Sequence, residues 1–294
     1  MSAAPRHFTI NAGGRLLSLA RPAVMGILNA TPDSFFAGSR KQTEADIAAR
    51  ANQIVAEGGT IIDIGAYSTR PGAAPVSEDE EASRLRLALA TVRREQPHAI
   101  VSVDTFRPDI ARMAVEEYGA DIINDVSGGN PQGAFGGTSA ATRYASEPCA
   151  DDAVPPIFAM AARLRVPYVL MSSRPDVAGI LLECSAKAAQ LHSLGVNDVI
   201  VDPGFGFGKT LDDNFAIMAS LEKLHALDLP LLVGISRKSM ITRTLGCTTD
   251  EALNGTTVLN TVALAKGAAI LRVHDVLQAS QCVELTMRLN PDNN

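Results

Sequence analysis

The chain has 294 residues, of which 46% are hydrophobic and 20% charged, a balance typical of a soluble protein with a large core. Its net charge of −6, without a run of Lys or Arg, argues against a general nucleic-acid or anionic-membrane surface. The four cysteines lie far apart and no stretch is long enough to span a bilayer, so we expect reduced thiols in a cytoplasmic protein.

The first predicted element is a small β-hairpin over residues 7–20, with its turn at Asn11–Gly14. Short apolar runs follow, separated by segments with helical periodicity. Between the first and second runs, the pattern places Ile47, Ala51, Ile54 and Val55 on one helical face. Between the second and third runs, Ser77 and Glu80 have the spacing of a capping box. There are eight such runs: Ala23–Asn29, Thr60–Ala66, Ala99–Thr105, Asp121–Val126, Pro167–Ser172, Asp198–Pro203, Leu231–Ser236 and Ala269–His274.

Strands that alternate with helices imply parallel pairing and right-handed crossovers. Eight such units favour a closed barrel, and an open doubly wound sheet is the alternative. We therefore expect one α/β domain over residues 1–294, a (β/α)8 TIM barrel whose bottom the hairpin could cover. Residues 128–156, rich in Gly, Ala, Ser and Pro, break the rhythm and are predicted to form a long surface insertion after the fourth strand.

Polar residues collect where the predicted strands end, which is where barrel enzymes assemble their active sites. A single Asp at a strand end often only caps the next helix, and His274 alone could be a structural histidine. Polar residues at the same end of seven strands are hard to explain by capping. Arg272 and His274 are two residues apart and share a face of their strand, where a buried Arg requires an anion.

A glycine-rich loop and a cluster of cationic residues are both candidates for anion binding. Gly204–Lys209 is neither G-x-G-x-x-G nor a Walker loop, so its glycines are weak evidence for a nucleotide. Ser236, Lys238, Arg272 and His274 form a better anion site, because loops after strands seven and eight commonly bind phosphate in barrels.

Seven short motifs, each at a strand end and in this order, together resemble the dihydropteroate synthase family. They are NATPDSF (29–35), STRPG (68–72), SVDT (102–105), IND (123–125), DPGFGFGK (202–209), SRKS (236–239) and RVHDV (272–276). The resemblance implies a transferase of folate biosynthesis, a homodimer and a target of sulfonamides. Its expected reaction joins (7,8-dihydropterin-6-yl)methyl diphosphate to 4-aminobenzoate, giving 7,8-dihydropteroate and diphosphate by an SN1-like displacement.

The resemblance also assigns roles to individual residues. The pterin would be held by Asp104, Asn124, Asp202 and Lys238, with Met171 and Phe207 lining its slot. The diphosphate would lie near Asn29, Thr69, Arg272 and His274, with Mg²⁺ bridging it and Asn29 as the protein ligand. Loops carrying Thr31, Asp33 and Phe35, and Thr69, Arg70 and Pro71, would cover 4-aminobenzoate together with Ser236. The catalytic set would be Asp33, Arg70, Lys238, Arg272 and His274, with Asp33 stabilising the developing cation.

Three positions depart from the family's usual pattern: Tyr67, where Glu is common, Ala37, where an acidic residue is often found, and Ser172, where His is frequent. Two alternatives stay open. One is a pterin-binding methyltransferase-type domain, which would not need the STRPG or SRKS motifs. The other is a non-catalytic pterin-binding paralogue, against which the joint presence of Asp33, Arg70, Lys238 and His274 argues.

Overall fold

The computed structural model describes residues 7–30, 44–67, 76–130 and 154–289. A hairpin of β1 (Thr9–Ala12) and β2 (Arg15–Ser18) precedes a parallel eight-stranded sheet. The strands of this sheet are β3 (Ala23–Asn29), β4 (Ile61–Gly65), β5 (Ile100–Asp104), β6 (Ile122–Asp125), β7 (Tyr168–Met171), β8 (Val199–Asp202), β9 (Leu232–Val233) and β10 (Ile270–Val273). Their order is β8-β7-β6-β5-β4-β3-β10-β9, and a parallel bridge between Val201 and Leu231 joins the two outer strands. The barrel prediction is confirmed.

Helices alternate with the strands and surround the barrel. They are α1 (Glu44–Ala56), α2 (Glu78–Glu95), α3 (Pro108–Tyr118), α4 (Pro156–Leu164), α5 (Val177–Ser193), α6 (Leu211–Ala219), α7 (Ser239–Leu245), α8 (Leu253–Ala265) and α9 (Val276–Leu289), with 3-10 turns at Leu221–Leu227 and Asp250–Ala252. None of the helices within these described ranges is long and apolar enough to cross a membrane.

The predicted helix signals are largely confirmed, with two corrections. In α1, Ile47, Ala51 and Ile54 of the predicted face are buried, but Val55 is 38% exposed, so that face is only partly covered. Ser77 caps α2 by accepting a hydrogen bond from the Glu80 backbone N–H at 3.2 Å. The Glu80 carboxylate pairs with Arg84 one turn later, so the predicted box is realised only in its Ser77 half.

The inside of the barrel is layered because every second residue of a strand points inward. At the bottom, Met25, Ile61, Ile100 and Ile122 pack with the hairpin residue Ile10 in one apolar cluster, so the hairpin does cover this end. The inward positions two residues further along the strands are polar in most strands. This second layer contains Asp63, Ser102, Asn124, Asp202 and Arg272. The polar site therefore lies on an apolar floor.

Most of the predicted insertion, residues 131–153, lies outside the described residues. Its beginning is not a surface segment. Ser127 and Gly129 each donate a backbone hydrogen bond of 2.7 Å to the carboxylate of Asp125, and Gly128 and Gly129 are buried. The buried carboxylate satisfies the turn that ends β6, which explains why the chain folds inward here.

Candidate active site

Arg272, on β10, joins the polar side chains of the second layer. Its Nε donates to Asp63 at 2.7 Å, and its Nη2 donates to Asp104 at 2.7 Å. Asp63 is fully buried and also accepts from the Asn124 side-chain amide, at 3.3 Å and 3.2 Å to its two oxygens. Four strands therefore contribute to one network. The expectation that a buried Arg272 requires an anion is met by two carboxylates of the protein itself.

The register of the strands explains how the predicted pterin residues come together. Asn29 pairs with Gly65, Gly65 with Asp104, and Asp104 with Asn124, so the four stand at one level across β3 to β6. A Cβ at Gly65 would lie 3.3 Å from the Cβ of Asp104, a tight contact that would press on Asp104. The absent side chain leaves room at this level beside Asp104.

Burial and charge set the protonation of this network. Burial raises the pKa of Asp104 to about 7, and the nearby Arg272 opposes the shift while Asp63 adds to it. Burial alone would lower the pKa of Arg272, but the carboxylates of Asp63 and Asp104 raise it above its ordinary value. Arg272 therefore stays charged, and Asp104 changes its charge near neutral pH.

Asp202 and Lys238 form the opposite side of the site. Asp202 accepts a hydrogen bond from the Gly204 N–H at 2.7 Å, at the start of a loop whose glycine takes a φ of 68°. Lys238 donates to the backbone carbonyl of Phe205, and its Nζ lies 4.7 Å from the centroid of the Phe207 ring. Burial raises the pKa of Asp202, opposed by Lys238, and burial lowers the pKa of Lys238 to about 8, opposed by Asp202. The predicted residues Asp202, Lys238 and Phe207 thus share one slot.

Lys209, which sequence reasoning left without a role, fixes the loop of that slot. Its Nζ donates to the carbonyls of Ser172 and Gly204 at 3.0 Å and of Phe207 at 3.3 Å. Burial lowers the pKa of Lys209 to about 8. One cation thereby ties the end of β7, next to the buried Met171, to the loop after β8.

The loops after the last two strands are joined at the predicted anion site. The backbone N–H of His274 donates to Ser236 Oγ at 3.1 Å, and the His274 carbonyl accepts from Arg50 Nη2 at 2.6 Å. Arg237 binds both oxygens of Asp275, at 2.9 Å and 2.8 Å, and takes a positive φ of 55°. Ser236 and His274 are therefore brought together, as predicted, by backbone as well as side-chain contacts.

Six of the predicted residues cannot be placed. Thr31, Asp33 and Phe35, and Thr69, Arg70 and Pro71, lie outside the described residues, as does the departure at Ala37. Of the other departures, Ser172 donates its hydroxyl to Glu183 at 2.5 Å, and Tyr67 packs edge-to-face on Phe106.

Metal binding was predicted at Asn29. Among the described residues there is no group of three or more His, Cys, Asp or Glu side chains arranged to hold a metal ion. Mg²⁺ usually takes one or two protein oxygens and completes its shell with water and substrate phosphates. The amide oxygen of Asn29, half-buried at the end of β3, is a donor of this kind. Asn29 thus offers one such oxygen, and the metal itself stays a prediction.

Asp63 is the residue of this network that sequence reasoning missed. It lies inside the apolar run Ile61–Gly65 and not at a strand end. The available signal was its position two residues after Ile61, which places it on the inner face one layer above the floor.

Comparison with known proteins agrees with this arrangement. Residues 25–274 match the family described as pterin binding enzyme. Dihydropteroate synthase of Escherichia coli (strain K12) is 36% identical, with 94% of this chain and 95% of the relative covered. Two solved structures are also similar: dihydropteroate synthase from Thermus thermophilus in complex with 4-aminobenzoate (TM-score 0.78, 33% identity, 96% and 100% covered) and the Yersinia pestis enzyme with a sulfonamide drug complex (TM-score 0.83, 31% identity, 97% and 100% covered).

Proposed function

This chain belongs to the dihydropteroate synthase family of pterin-binding enzymes, and from that premise we propose that it catalyses the family's reaction. It condenses (7,8-dihydropterin-6-yl)methyl diphosphate with 4-aminobenzoate and releases 7,8-dihydropteroate and diphosphate. It is therefore a transferase of an alkyl group other than methyl. The single observation that carries the proposal is the network of Arg272 with Asp63, Asp104 and Asn124, which lies with Asp202 above an apolar floor.

The pterin ring fits this layer chemically. Its edge presents ring N–H and exocyclic amine donors, which the carboxylate of Asp202 accepts in a paired geometry. Asn124 both donates and accepts, so it matches an edge that carries both kinds of group. Lys238 and Phe207 cover the ring from the side of the loop after β8, where the cation already lies over an aromatic face.

The diphosphate occupies the end of the site formed by Asn29, His274 and the loop of Ser236, with Thr69 of the second loop. Arg272 adds positive charge from below while it holds Asp63 and Asp104 in place. Asn29 would hold Mg²⁺ with its amide oxygen, and the ion would then neutralise part of the charge of the leaving diphosphate.

The displacement is dissociative and SN1-like. Loss of diphosphate leaves a methylene cation that the conjugated pterin delocalises, while cationic groups stabilise the departing anion. The amine of 4-aminobenzoate is neutral at pH 7, so the site requires no strong general base. Asp33 stabilises this cation, so replacing Asp33 should reduce turnover more than pterin affinity. Arg70, in the second loop, belongs to the same proposed catalytic set.

The direct test is to incubate the purified protein with pterin methyl diphosphate, 4-aminobenzoate and Mg²⁺ and to detect dihydropteroate by chromatography and mass. Product formation that a sulfonamide inhibits competitively with 4-aminobenzoate supports the proposal. Tight pterin binding without product would instead identify a non-catalytic paralogue. Omitting Mg²⁺ tests the metal, and sedimentation tests the proposed homodimer of this cytoplasmic enzyme.

A further inference from the structure

The side chain of Arg50, on helix α1, bridges the ends of two neighbouring strands, β3 and β10. Its Nε donates to the backbone carbonyl of Ile27, on β3, at 3.2 Å. Its Nη2 donates at 2.6 Å to the backbone carbonyl of His274, which directly follows β10. The third nitrogen, Nη1, donates to the side chain of Gln53 at 3.0 Å. One half-buried cation therefore binds main-chain acceptors at the ends of both strands.

The bridge lies where the two strands stop pairing with each other. Pairing between β3 and β10 ends at Gly26 and Val273. The two carbonyls that Arg50 binds belong to the next residue along each strand. Beyond this point β3 continues its pairing with β4 as far as Asn29. The guanidinium therefore spans the opening between the strand that carries Asn29 and the turn that carries His274.

Close packing of helix α1 on the barrel brings Arg50 to this opening. Ile54, one turn after Arg50 on the same face of the helix, is fully buried. A Cβ at Gly26 would lie 2.6 Å from Cγ2 of Ile54 and 3.0 Å from Cγ2 of Val276, closer than packed carbon atoms normally approach. The absent side chain thus lets α1, β3 and the start of α9 meet at one point. One helical turn nearer the site, Arg50 reaches both strand ends.

The main chain of His274 is held on two sides by different elements. Its N–H donates to Ser236 Oγ at 3.1 Å, which links it to the loop after β9. Its carbonyl accepts from Arg50, which in turn binds β3. The position of His274 is therefore fixed relative to the strand that ends in Asn29, and not only relative to the neighbouring loop.

We propose that Arg50 is a positioning residue for the leaving diphosphate, acting by fixing His274 relative to Asn29. This inference rests on the proposed function, in which these two residues lie beside the diphosphate. Groups that stabilise a departing anion act only when they are held in the correct place. The pterin carboxylate Asp202 is held by a different contact, from the backbone of the loop after β8. Loss of Arg50 should therefore weaken binding of the diphosphate but not of the pterin ring.

The test compares two ligands by titration calorimetry. They are pterin methyl diphosphate and 6-hydroxymethyl-7,8-dihydropterin, which has the same ring without the diphosphate. In Arg50→Met the affinity for the diphosphate ester should fall about tenfold, as expected when a hydrogen bond to a charged group is lost. The affinity for the hydroxymethyl pterin should stay within about twofold of wild type, which also shows that the variant is folded. In the enzyme assay, kcat should fall while KM for 4-aminobenzoate stays within about twofold.

Two further variants separate positioning from charge and from general stability. Arg50→Lys keeps the charge but replaces the planar fork by a single nitrogen, so it should recover only part of the loss. Arg93→Met is the matched control, because half-buried Arg93 also binds two backbone carbonyls, those of Ala99 at 2.8 Å and Tyr118 at 3.0 Å, at the other end of the barrel. It should leave both affinities within about twofold of wild type.

Three results would overturn the inference. Equal losses for the two ligands, or unchanged affinity for the diphosphate ester, in Arg50→Met would show that Arg50 does not act on the diphosphate. Full affinity for the diphosphate ester in Arg50→Lys would assign the effect to charge alone. The same selective loss in Arg93→Met would show that the position of the arginine is irrelevant.

If the wild-type protein forms no dihydropteroate, the proposed function fails, and amide hydrogen exchange tests Arg50 separately. The peptide covering residues 271–279 should exchange faster in Arg50→Met than in wild type or Arg93→Met, because it contains the held N–H of His274. Unchanged exchange of that peptide would contradict the positioning role.

Discussion

Replacing Arg272 by Met should destabilise the folded protein by about 3–5 kcal/mol at neutral pH, the cost typical of breaking a buried ion pair. Arg272 is the countercharge of two carboxylates, each 2.7 Å away. Asp63 is fully buried, and the Asp104 side chain is only 18% exposed. Methionine keeps most of the length of the stem, so the change removes charge and hydrogen bonds with little loss of packing.

The magnitude follows from two opposing contributions. Two unit charges 4 Å apart attract by about 4 kcal/mol at an effective dielectric constant of 20, so two such contacts set an upper limit of about 8 kcal/mol. Removing Arg272 also removes the cost of burying its own charge, which is several kcal/mol. The net loss therefore falls well below the sum of the two contacts.

The loss should grow with pH because of Asp104. Its folded-state pKa of about 7 lies above the ordinary value of about 4, so stability is lost as pH rises between these values. Arg272 lowers this pKa, and without it the folded-state value moves higher still. Above pH 7 the free energy of unfolding of the variant therefore continues to fall, by up to about 1.4 kcal/mol per pH unit, whereas that of the wild-type protein no longer falls through Asp104. The destabilisation should be about 1 kcal/mol larger at pH 8 than at pH 6.

Urea unfolding of the wild type and of Arg272→Met at both pH values measures this difference. Arg93→Met is the control, since it breaks a similar ion pair, to Asp121, at the other end of the barrel. A loss below about 1 kcal/mol, within the range of an ordinary surface pair, would refute the argument from burial. An equal loss at pH 6 and pH 8 would refute the part that concerns Asp104.

Three further variants probe the rest of the site. Asp63→Asn should lower pterin affinity about tenfold, because the carboxylate that aligns Arg272 is lost; titration calorimetry giving wild-type affinity would exclude this role. Lys238→Met should weaken binding of pterin methyl diphosphate at pH 7 but much less at pH 9.5, since Lys238, with a pKa of about 8, is charged only below that value; a pH-independent difference between variant and wild type would contradict the charge argument. Tyr168→Phe should cost about 1.5–3 kcal/mol in urea unfolding, because buried Asp125 loses a hydroxyl donor; a loss no larger than that of Tyr118→Phe would argue against it.

The sequence allowed much of the fold and part of the site to be predicted. Eight apolar runs separated by helical periodicity identified the strands, since a parallel strand covered on both faces is apolar along its length. Asp104, Asn124 and Asp202 were predicted together because strand ends converge in a barrel. The structure brings these residues together, with Arg272 opposite Asp104.

What could not be predicted depends on tertiary contacts. The argument that a buried Arg272 requires an anion is satisfied equally by a ligand phosphate and by protein carboxylates, and only the register of the barrel places Asp63 and Asp104 beside it. The three carbonyls around Lys209 come from two loops whose paths no local pattern specifies. Arg50 meets His274 for the same reason, across a distance in sequence that spacing rules do not cover.

Polar and charged side chains in the second layer of the barrel interior cost desolvation free energy, and this cost argues that the layer binds a ligand. Bulky aliphatic residues would fill these inward positions without desolvating charge, as they do one layer below. Instead, burial raises the pKa of Asp202 in this layer, and beside the layer it shifts the pKa of Asp104 to about 7 and that of Lys238 to about 8, each toward its neutral form. Desolvated groups of this kind are stabilised when a ligand supplies matching hydrogen-bond donors and acceptors in place of water. A flat ring with a mixed hydrogen-bonding edge, such as a pterin, is a partner of this kind.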